Sequence, residues 1–152
     1  MVARAWRRIL RWLLSPVVQE IINSEIRVWG NPSRLHIARS ARMINTLFNV
    51  SSGHIHVGEF TFTGHNVAIL AGRHDMNTFM SERMERVPTD GCDVVIGEGV
   101  WIGSNATILG PCRIGDHAVI AANALVRHDV APYTVVAGTP AKVVRTLDRV
   151  AS

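Results

Sequence analysis

The chain has 152 residues, of which 47% are hydrophobic and 18% are charged. This composition suits one folded domain and excludes a disordered chain or a solvated tail. The formal net charge is +4, and eight of the sixteen basic residues precede Asn45, where only two acidic residues oppose them. A basic end of this kind favours phosphates or a membrane surface. No zinc-finger spacing or aromatic-rich RNA-binding signature accompanies it, so we expect no nucleic-acid partner.

The amino-terminal region is predicted to be helical. Apolar residues recur at helical spacing in residues 3–14, with the arginines largely off that stripe, and Pro16 suits the first turn of a second helix. Gly30 lies in the loop that ends this region. We therefore assign residues 1–30 to amphipathic helices that cap the following domain, with peripheral membrane contact through residues 3–14 as the alternative.

Cysteine content and hydropathy favour a cytoplasmic location. Cys92 and Cys112 form neither a C-x-x-C pair nor a disulfide framework, which agrees with a reducing compartment. Arg11 interrupts the first apolar run, no clean signal-peptide cleavage site follows, and no apolar run is long enough to span a bilayer. We expect a cytoplasmic protein, with the inner face of the membrane as the alternative place of contact.

A period of six residues begins weakly in the middle of the chain. The segments that start at Val57, Thr63 and Ile69 fit this period, and the stretches LHIARSARM and INTLFNV before them are predicted to form an irregular first coil. Residues 31–152 are assigned to one β domain.

Residues 73–94 interrupt the period. This segment is polar and rich in methionine, and it contains Pro88 and Gly91. An insertion of this length in a compact solenoid is usually functional. Met76, Met80 and Met84 have helical spacing and predict a packed helix within the insertion.

From Ile96 the period is regular through six consecutive hexapeptides. The first position is always β-branched and aliphatic, and the fifth is small or aliphatic. First positions are Ile96, Ile102, Ile108, Ile114, Ile120 and Val126, and fifth positions are Val100, Ala106, Cys112, Ala118, Ala124 and Val130. This pattern predicts a solenoid in which each hexapeptide is one short strand and a turn, and three make a triangular coil. Glycine at the second position, as at Gly103, permits backbone geometry that a β-carbon would hinder.

The segment from Trp101 to Arg145 resembles the carboxy-terminal half of hexapeptide-repeat acetyltransferases of the maltose, galactoside and nodulation-factor type, and the resemblance covers roughly residues 35–147. It implies an all-β fold, a left-handed parallel β-helix, behind the amino-terminal helices. It also implies an acetyl-CoA-dependent O-acetyltransferase that acts on a hydroxyl group of a sugar or glycan. Homotrimers with acetyl-CoA between neighbouring β-helices are typical of the family.

The resemblance implies that the insertion supplies the catalytic base. His74, in LAGRHDM, matches the family's catalytic histidine, and its Nε2 atom would take the proton from the acceptor. Asp75 is the nearest candidate to orient the imidazole, and a backbone carbonyl would serve equally well. The family more often has proline at the position of Asp75.

Matches to the family also suggest binding residues. Small side chains would let the pantetheine arm lie against the backbone, and basic side chains would meet the phosphates of CoA. The cofactor positions are Gly103, Ser104, Ala121, Ala122, Arg127 with its neighbour His128, Lys142 and Arg145. The acceptor positions are Asn45, Ser52, His65 and Trp101.

Three alternatives remain open. In the first, the acceptor is an amine of an amino sugar or antibiotic. In the second, the chain is a noncatalytic β-helix that assembles a complex. The third is a metal hydratase of the β-helical carbonic anhydrase kind, which needs three histidine ligands. The regular block offers only His117 and His128, at an unsuitable separation, and His54 and His56 are interpreted as surface residues. We therefore predict no metal.

Overall fold

The structure, a computed structural model, describes residues 26–148. The segment 3–14 and most of the predicted amino-terminal helical region lie outside the described residues. Within residues 26–148, no helix is long and apolar enough to cross a membrane.

The described residues form fourteen short strands, which make up three sheets. Sheet I contains β1 (Arg27–Trp29), β3 (Leu47–Asn49), β6 (Ala68–Leu70), β9 (Thr107–Leu109) and β12 (Leu125–Val126). Sheet II contains β2 (Leu35–Ile37), β4 (Ile55–Val57), β7 (Val94–Ile96) and β10 (Cys112–Ile114). Sheet III contains β5 (Phe62–Thr63), β8 (Trp101–Ile102), β11 (Val119–Ile120), β13 (Thr134–Ala137) and β14 (Lys142–Thr146).

From β1 to β13, consecutive strands belong to different sheets, as the hexapeptide pattern predicts, whereas β14 lies beside β13 in sheet III. The chain passes from sheet II to sheet III to sheet I, and strands of successive coils pair in parallel, so that Trp101 lies opposite Val119, eighteen positions later. Among the strands of residues 26–148, β13 and β14 alone pair antiparallel. The predicted left-handed parallel β-helix with three hexapeptides per coil is therefore confirmed.

The core is the stacked column that the period predicts. All twelve first-position and fifth-position residues of the regular block are buried, and none is more than 7% exposed. The weaker repeats follow the same rule, since Val57, Thr63 and Ile69 are also buried. Burial of each aliphatic side chain contributes roughly 1.5–3 kcal/mol, and no coil achieves this burial without its neighbours.

The turns explain the small and polar residues between the strands. Asn66, Asn105 and Asn123 adopt φ of 57–59°, the left-handed conformation that asparagine tolerates. Gly103 has a different reason, because a β-carbon there would meet the backbone nitrogen of Ala122 in the next coil at 2.5 Å. The second-position glycine is therefore required by close stacking of coils.

The β-helix begins earlier than predicted. Residues 27–29, which we assigned to the amino-terminal helices, form β1 and pair in parallel with β3. The helical assignment was wrong here because β3 offers an unpaired edge and Val28 and Trp29 favour a strand. Gly30 follows with φ of 99°, and Pro32–Arg34 form a 3-10 turn.

The insertion occupies residues 71–93, between β6 and β7. It contains one short helix, α1 (Met80–Glu85), so the helical prediction is confirmed for Met80 and Met84, whereas Met76 lies in a turn before the helix. The prediction that its methionines pack was wrong, because Met76, Met80 and Met84 are 77–89% exposed. No residue of α1 is buried, so this helix lies on the surface of the described chain and not against the stacked core.

Candidate active site

Hydrogen bonds hold the two ends of the inserted loop where it leaves and rejoins the β-helix. Ser52 is fully buried, and its hydroxyl accepts a hydrogen bond from the backbone N–H of Arg73 at 3.2 Å and donates one to the carbonyl of Arg73 at 3.3 Å. Where the loop returns to the β-helix, Nη1 of Arg34 donates to the carbonyl of Thr89 at 2.6 Å. The loop therefore projects from the corner between sheets I and II without disturbing the stacked coils.

Hydrogen bonds within the loop give it a defined shape. The hydroxyl of Thr78, a buried residue, donates to the carbonyl of Asp75 at 3.0 Å. The guanidinium of Arg83 donates to the carbonyl of Thr78 at 2.6 Å and to that of Met76 at 3.3 Å. The same guanidinium lies 4.9 Å from the ring centre of Phe79. Arg83 thus joins α1 to the segment that follows His74.

His74 is exposed at the start of this loop, and its ring orientation is fixed by the backbone. Its Nδ1 atom lies 2.7 Å from the carbonyl oxygen of Arg83, in the last turn of α1. A carbonyl oxygen only accepts hydrogen bonds, so Nδ1 carries the proton and Nε2 of the neutral ring presents a lone pair. This is the tautomer that a general base acting through Nε2 needs.

Asp75 has a different set of contacts. Its Oδ1 accepts a hydrogen bond from the backbone N–H of Asn77 at 2.9 Å, and its Oδ2 lies 3.9 Å from Nε of Arg86. The backbone carbonyl of Arg83 therefore orients the imidazole of His74, while Asp75 stabilises the turn that follows it.

Several predicted cofactor positions align at the corner between sheets III and I. The Ser104 hydroxyl accepts a hydrogen bond from the backbone N–H of His65 at 3.1 Å, and Ala122 stacks beneath Gly103 in the next coil. We call Ser104 and Ala122 the small-residue column, and His65 lies beside it through its bond to Ser104. His65 and Ala122 are exposed and Ser104 is half-buried, so the column presents a narrow, accessible strip.

The predicted phosphate-binding cations lie toward the carboxy-terminal end of the β-helix. Lys142 and Arg145 are exposed on β14, opposite Ala137 and Val135 of β13. Arg127 and His128 are exposed after β12, and Nε of Arg127 donates to Nε2 of His128 at 3.2 Å. Arg127 is therefore engaged with its neighbour, whereas both cations of β14 extend from a strand at the edge of sheet III.

The predicted acceptor residues do not form one group. Trp101 is half exposed on sheet III and stacks on Phe62, with ring centres 6.1 Å apart. Nδ2 of Asn45 donates to Oδ1 of Asn66 at 2.6 Å, within the row of left-handed turns. Ser52 is buried in this chain, and its hydroxyl bonds the backbone of Arg73 where the loop begins.

Two features were missed in the sequence. Phe62 occupies the same repeat position as Trp101 in the preceding coil, a match that the intervening loop obscures. His36, His54 and His56 stack against one another on sheet II, with ring centres 4.5–6.2 Å apart. Partial burial lowers the pKa of His56 below its ordinary value, and the neighbouring imidazoles of His36 and His54 lower it further by smaller amounts.

Comparison with known proteins identifies the repeat. The family model for bacterial transferase hexapeptides (six repeats) matches residues 93–128. A chloramphenicol acetyltransferase of Escherichia coli is 57% identical over 53 residues, which are 35% of this chain and 25% of that protein. A galactoside O-acetyltransferase of Escherichia coli strain K12 is 29% identical over 116 residues, which are 76% of this chain and 56% of that protein.

A solved structure extends the likeness over most of the chain. The hexapeptide-repeat acetyltransferase of Vibrio cholerae O1 biovar eltor, complexed with acetyl-CoA, is 26% identical with a TM-score of 0.56, over 87% of this chain and 75% of that one. The resemblance to hexapeptide-repeat acetyltransferases is therefore confirmed. The chain spans only about a quarter to a half of the length of the curated relatives described above.

Proposed function

Because the chain is a hexapeptide-repeat β-helix related to acetyl-CoA-dependent acetyltransferases, we propose that it transfers an acetyl group from acetyl-CoA to a hydroxyl group of a sugar or glycan. The observation that carries this proposal is the bond between Nδ1 of His74 and the carbonyl of Arg83. It leaves Nε2 free to act as a base on an accessible loop.

The reaction needs one base and two aligned substrates. Nε2 of His74 removes the proton of the acceptor hydroxyl as its oxygen attacks the thioester carbon of acetyl-CoA. The tetrahedral intermediate then collapses, the carbon–sulfur bond breaks, and the imidazolium returns the proton to the sulfur of CoA. The products are an acetyl ester and free CoA. No covalent enzyme intermediate is required, because the thioester is already activated and binding supplies the orientation.

We assign the cofactor to the small-residue column and β14. The small side chains of Ser104 and Ala122 suit the pantetheine arm, because they let it lie close to the backbone. The exposed cations Lys142 and Arg145 suit the phosphates of CoA, because they lie on a strand at the sheet edge and project into solvent. Arg127 contributes less in this assignment, since it already bonds His128.

The geometry of one chain supports an active site shared between copies. The His74 loop projects from the corner between sheets I and II, whereas the small-residue column lies at the corner between sheets III and I. A second copy that sets its column beside this loop would complete the site. The half-exposed pair Phe62 and Trp101 provides apolar surface for such packing. A homotrimer closes this head-to-tail contact.

Acetyl transfer is tested with a panel of sugars, glycosides, nucleotide sugars, amino sugars and chloramphenicol, with free CoA thiol and the acetylated product as readouts. We expect a hydroxyl-bearing sugar to yield an ester. An amide product would show that the acceptor is an amine. Acetyl-CoA binding without transfer to any member would favour the noncatalytic alternative. Light scattering should report a trimer, and a fully active monomer would contradict the shared site.

A further inference from the structure

Three exposed histidines converge on the outer face of sheet II. His36 of β2 and His56 of β4 lie directly opposite each other in the parallel register. His54 precedes His56 by two residues, so its side chain leaves the chain on the same face. We call His36, His54 and His56 the histidine triad.

The spacing of the triad matches the needs of a metal ion. Each ring offers one nitrogen, and these three atoms lie within 4.8 Å of one another. A tetrahedral zinc ion with Zn–N bonds of about 2.0–2.1 Å holds its ligands roughly 3.4 Å apart. Rotation of exposed rings about their side-chain bonds can close this difference.

The backbone beneath the triad is rigid. Ile55 and Val57, on either side of His56, are buried in the core, and β4 pairs with strands on both sides. Oδ1 of Asp93 accepts a hydrogen bond from the backbone N–H of His54 at 2.8 Å, which fixes the end of the triad and places a negative charge beside it. Within residues 26–148, the ring nitrogens of the triad form no hydrogen bond.

We propose that His36, His54 and His56 bind a divalent transition-metal ion, with Zn²⁺ as the first choice. Imidazole ligands suit zinc, copper and nickel, whereas magnesium and calcium prefer oxygen. Three protein ligands leave the fourth position for water or another ligand. The histidine triad is separate from the proposed acetyl-transfer site, where the base is His74 and the reaction needs no metal.

The test is titration of the 152-residue chain, without an affinity tag, with Zn²⁺ in a calorimeter. We expect one ion per chain. His36→Gln and His56→Gln should each weaken binding at least tenfold, whereas His65→Gln, an exposed histidine outside the triad, should not. Co²⁺ in place of Zn²⁺ should give the visible absorption of a tetrahedral ion with nitrogen ligands.

Two outcomes would overturn the proposal. One is the absence of saturable binding at one ion per chain. The other is native affinity in a variant that lacks all three histidines. Histidine ring resonances of the unmodified protein provide a measurement that does not depend on folding of variants. Zn²⁺ should shift three of these resonances together, and a shift confined to other histidines would place the ion elsewhere.

Discussion

The Nδ1 atom of His74 lies 2.7 Å from the carbonyl oxygen of Arg83, nine residues later in the chain. This bond needs both the start of the loop and the last turn of α1, so the whole loop determines the orientation of one imidazole. The partner is a backbone atom, and only the residues that shape the loop can alter it. In the proposed reaction, the same carbonyl stabilises the positive ring that forms when Nε2 takes a proton.

Replacement of His74 by alanine is predicted to reduce turnover by roughly 10²–10⁴-fold, the usual contribution of a positioned base. The fold and acetyl-CoA binding should remain, because His74 is exposed and lies outside the stacked core. Turnover is measured at saturating acetyl-CoA with the acceptor found by screening, and thermal unfolding is compared in parallel.

His65→Ala is the matched comparison for that variant. His65 is exposed beside Ser104, and its ordered contact there is made by the backbone N–H, which alanine keeps. We expect a smaller loss of turnover. If His65→Ala abolishes turnover while His74→Ala retains most of it, the base is His65 and not the loop histidine.

Asp75→Asn is predicted to lower turnover by less than about tenfold. The carboxylate caps a turn at Asn77 and lies 3.9 Å from Arg86, and the loss of one exposed bond of this kind is worth about 1 kcal/mol. Steady-state kinetics decide the point. A loss as large as that of His74→Ala would mean that Asp75 acts on the imidazole directly.

The repeat could be predicted from the sequence because a solenoid buries the same repeat positions in every coil. Ile102 and Ala106 follow a rule that twelve residues share, and all twelve are buried. The site was less accessible to prediction because its residues depend on single contacts. The partner of His74 is a backbone carbonyl in an irregular loop, and burial of Ser52 depends on where that loop leaves the β-helix.

The histidine triad shows the same limit. His54 and His56 alternate as in any strand, but His36 joins them only through the register of β2 and β4. The separation of twenty positions between His36 and His56 departs from the eighteen of the regular block, because the first coil is irregular. A search based on the regular period therefore misses the pair.

Lys142→Ala and Arg145→Ala are each predicted to raise the KM for acetyl-CoA by about tenfold with little change in kcat. A charged hydrogen bond is worth roughly 1.5 kcal/mol or more, and the phosphates lie far from the reacting thioester. Arg113→Ala is the control, because Arg113 is exposed on sheet II. Native affinity for acetyl-CoA in either variant would remove that residue from the phosphate site.

Ile108→Ala is predicted to lower the free energy of unfolding by about 2–5 kcal/mol, because Ile108 is fully buried between two coils. Val144→Ala is the matched control and should change it by less than about 0.5 kcal/mol, since Val144 is 59% exposed on β14. Chemical denaturation is compared at one protein concentration, because assembly would make stability depend on concentration. Equal losses of stability in the two variants would show that the stacked aliphatic residues are not the core.

The thiol of Cys112 is predicted to resist modification until the solution is strongly alkaline. Burial raises its pKa to about 12, with the charge of Asp129 acting in the same direction, and the thiolate is the reactive species. Burial also raises the pKa of Cys92; the charge of Arg73 opposes this shift, and the charges of Asp93 and Asp90 add to it, but no shift as large as that of Cys112 results. We therefore expect Cys92 to react first.

Single-cysteine variants, Cys92→Ala and Cys112→Ala, separate the two thiols in a labelling experiment with a chromogenic disulfide. At pH 8 the native chain that retains only Cys112 should react slowly, and the same chain in denaturant should react at once. The raised pKa also links to stability. The stability that the raised pKa of Cys112 contributes is complete below pH 9.0, the ordinary pKa of the unfolded thiol. This stability is lost as the pH rises toward about 12. The unfolding midpoint of the native chain should therefore fall more steeply in this alkaline range than that of Cys112→Ala. Rapid labelling of native Cys112 at pH 8 would mean that its coil opens readily.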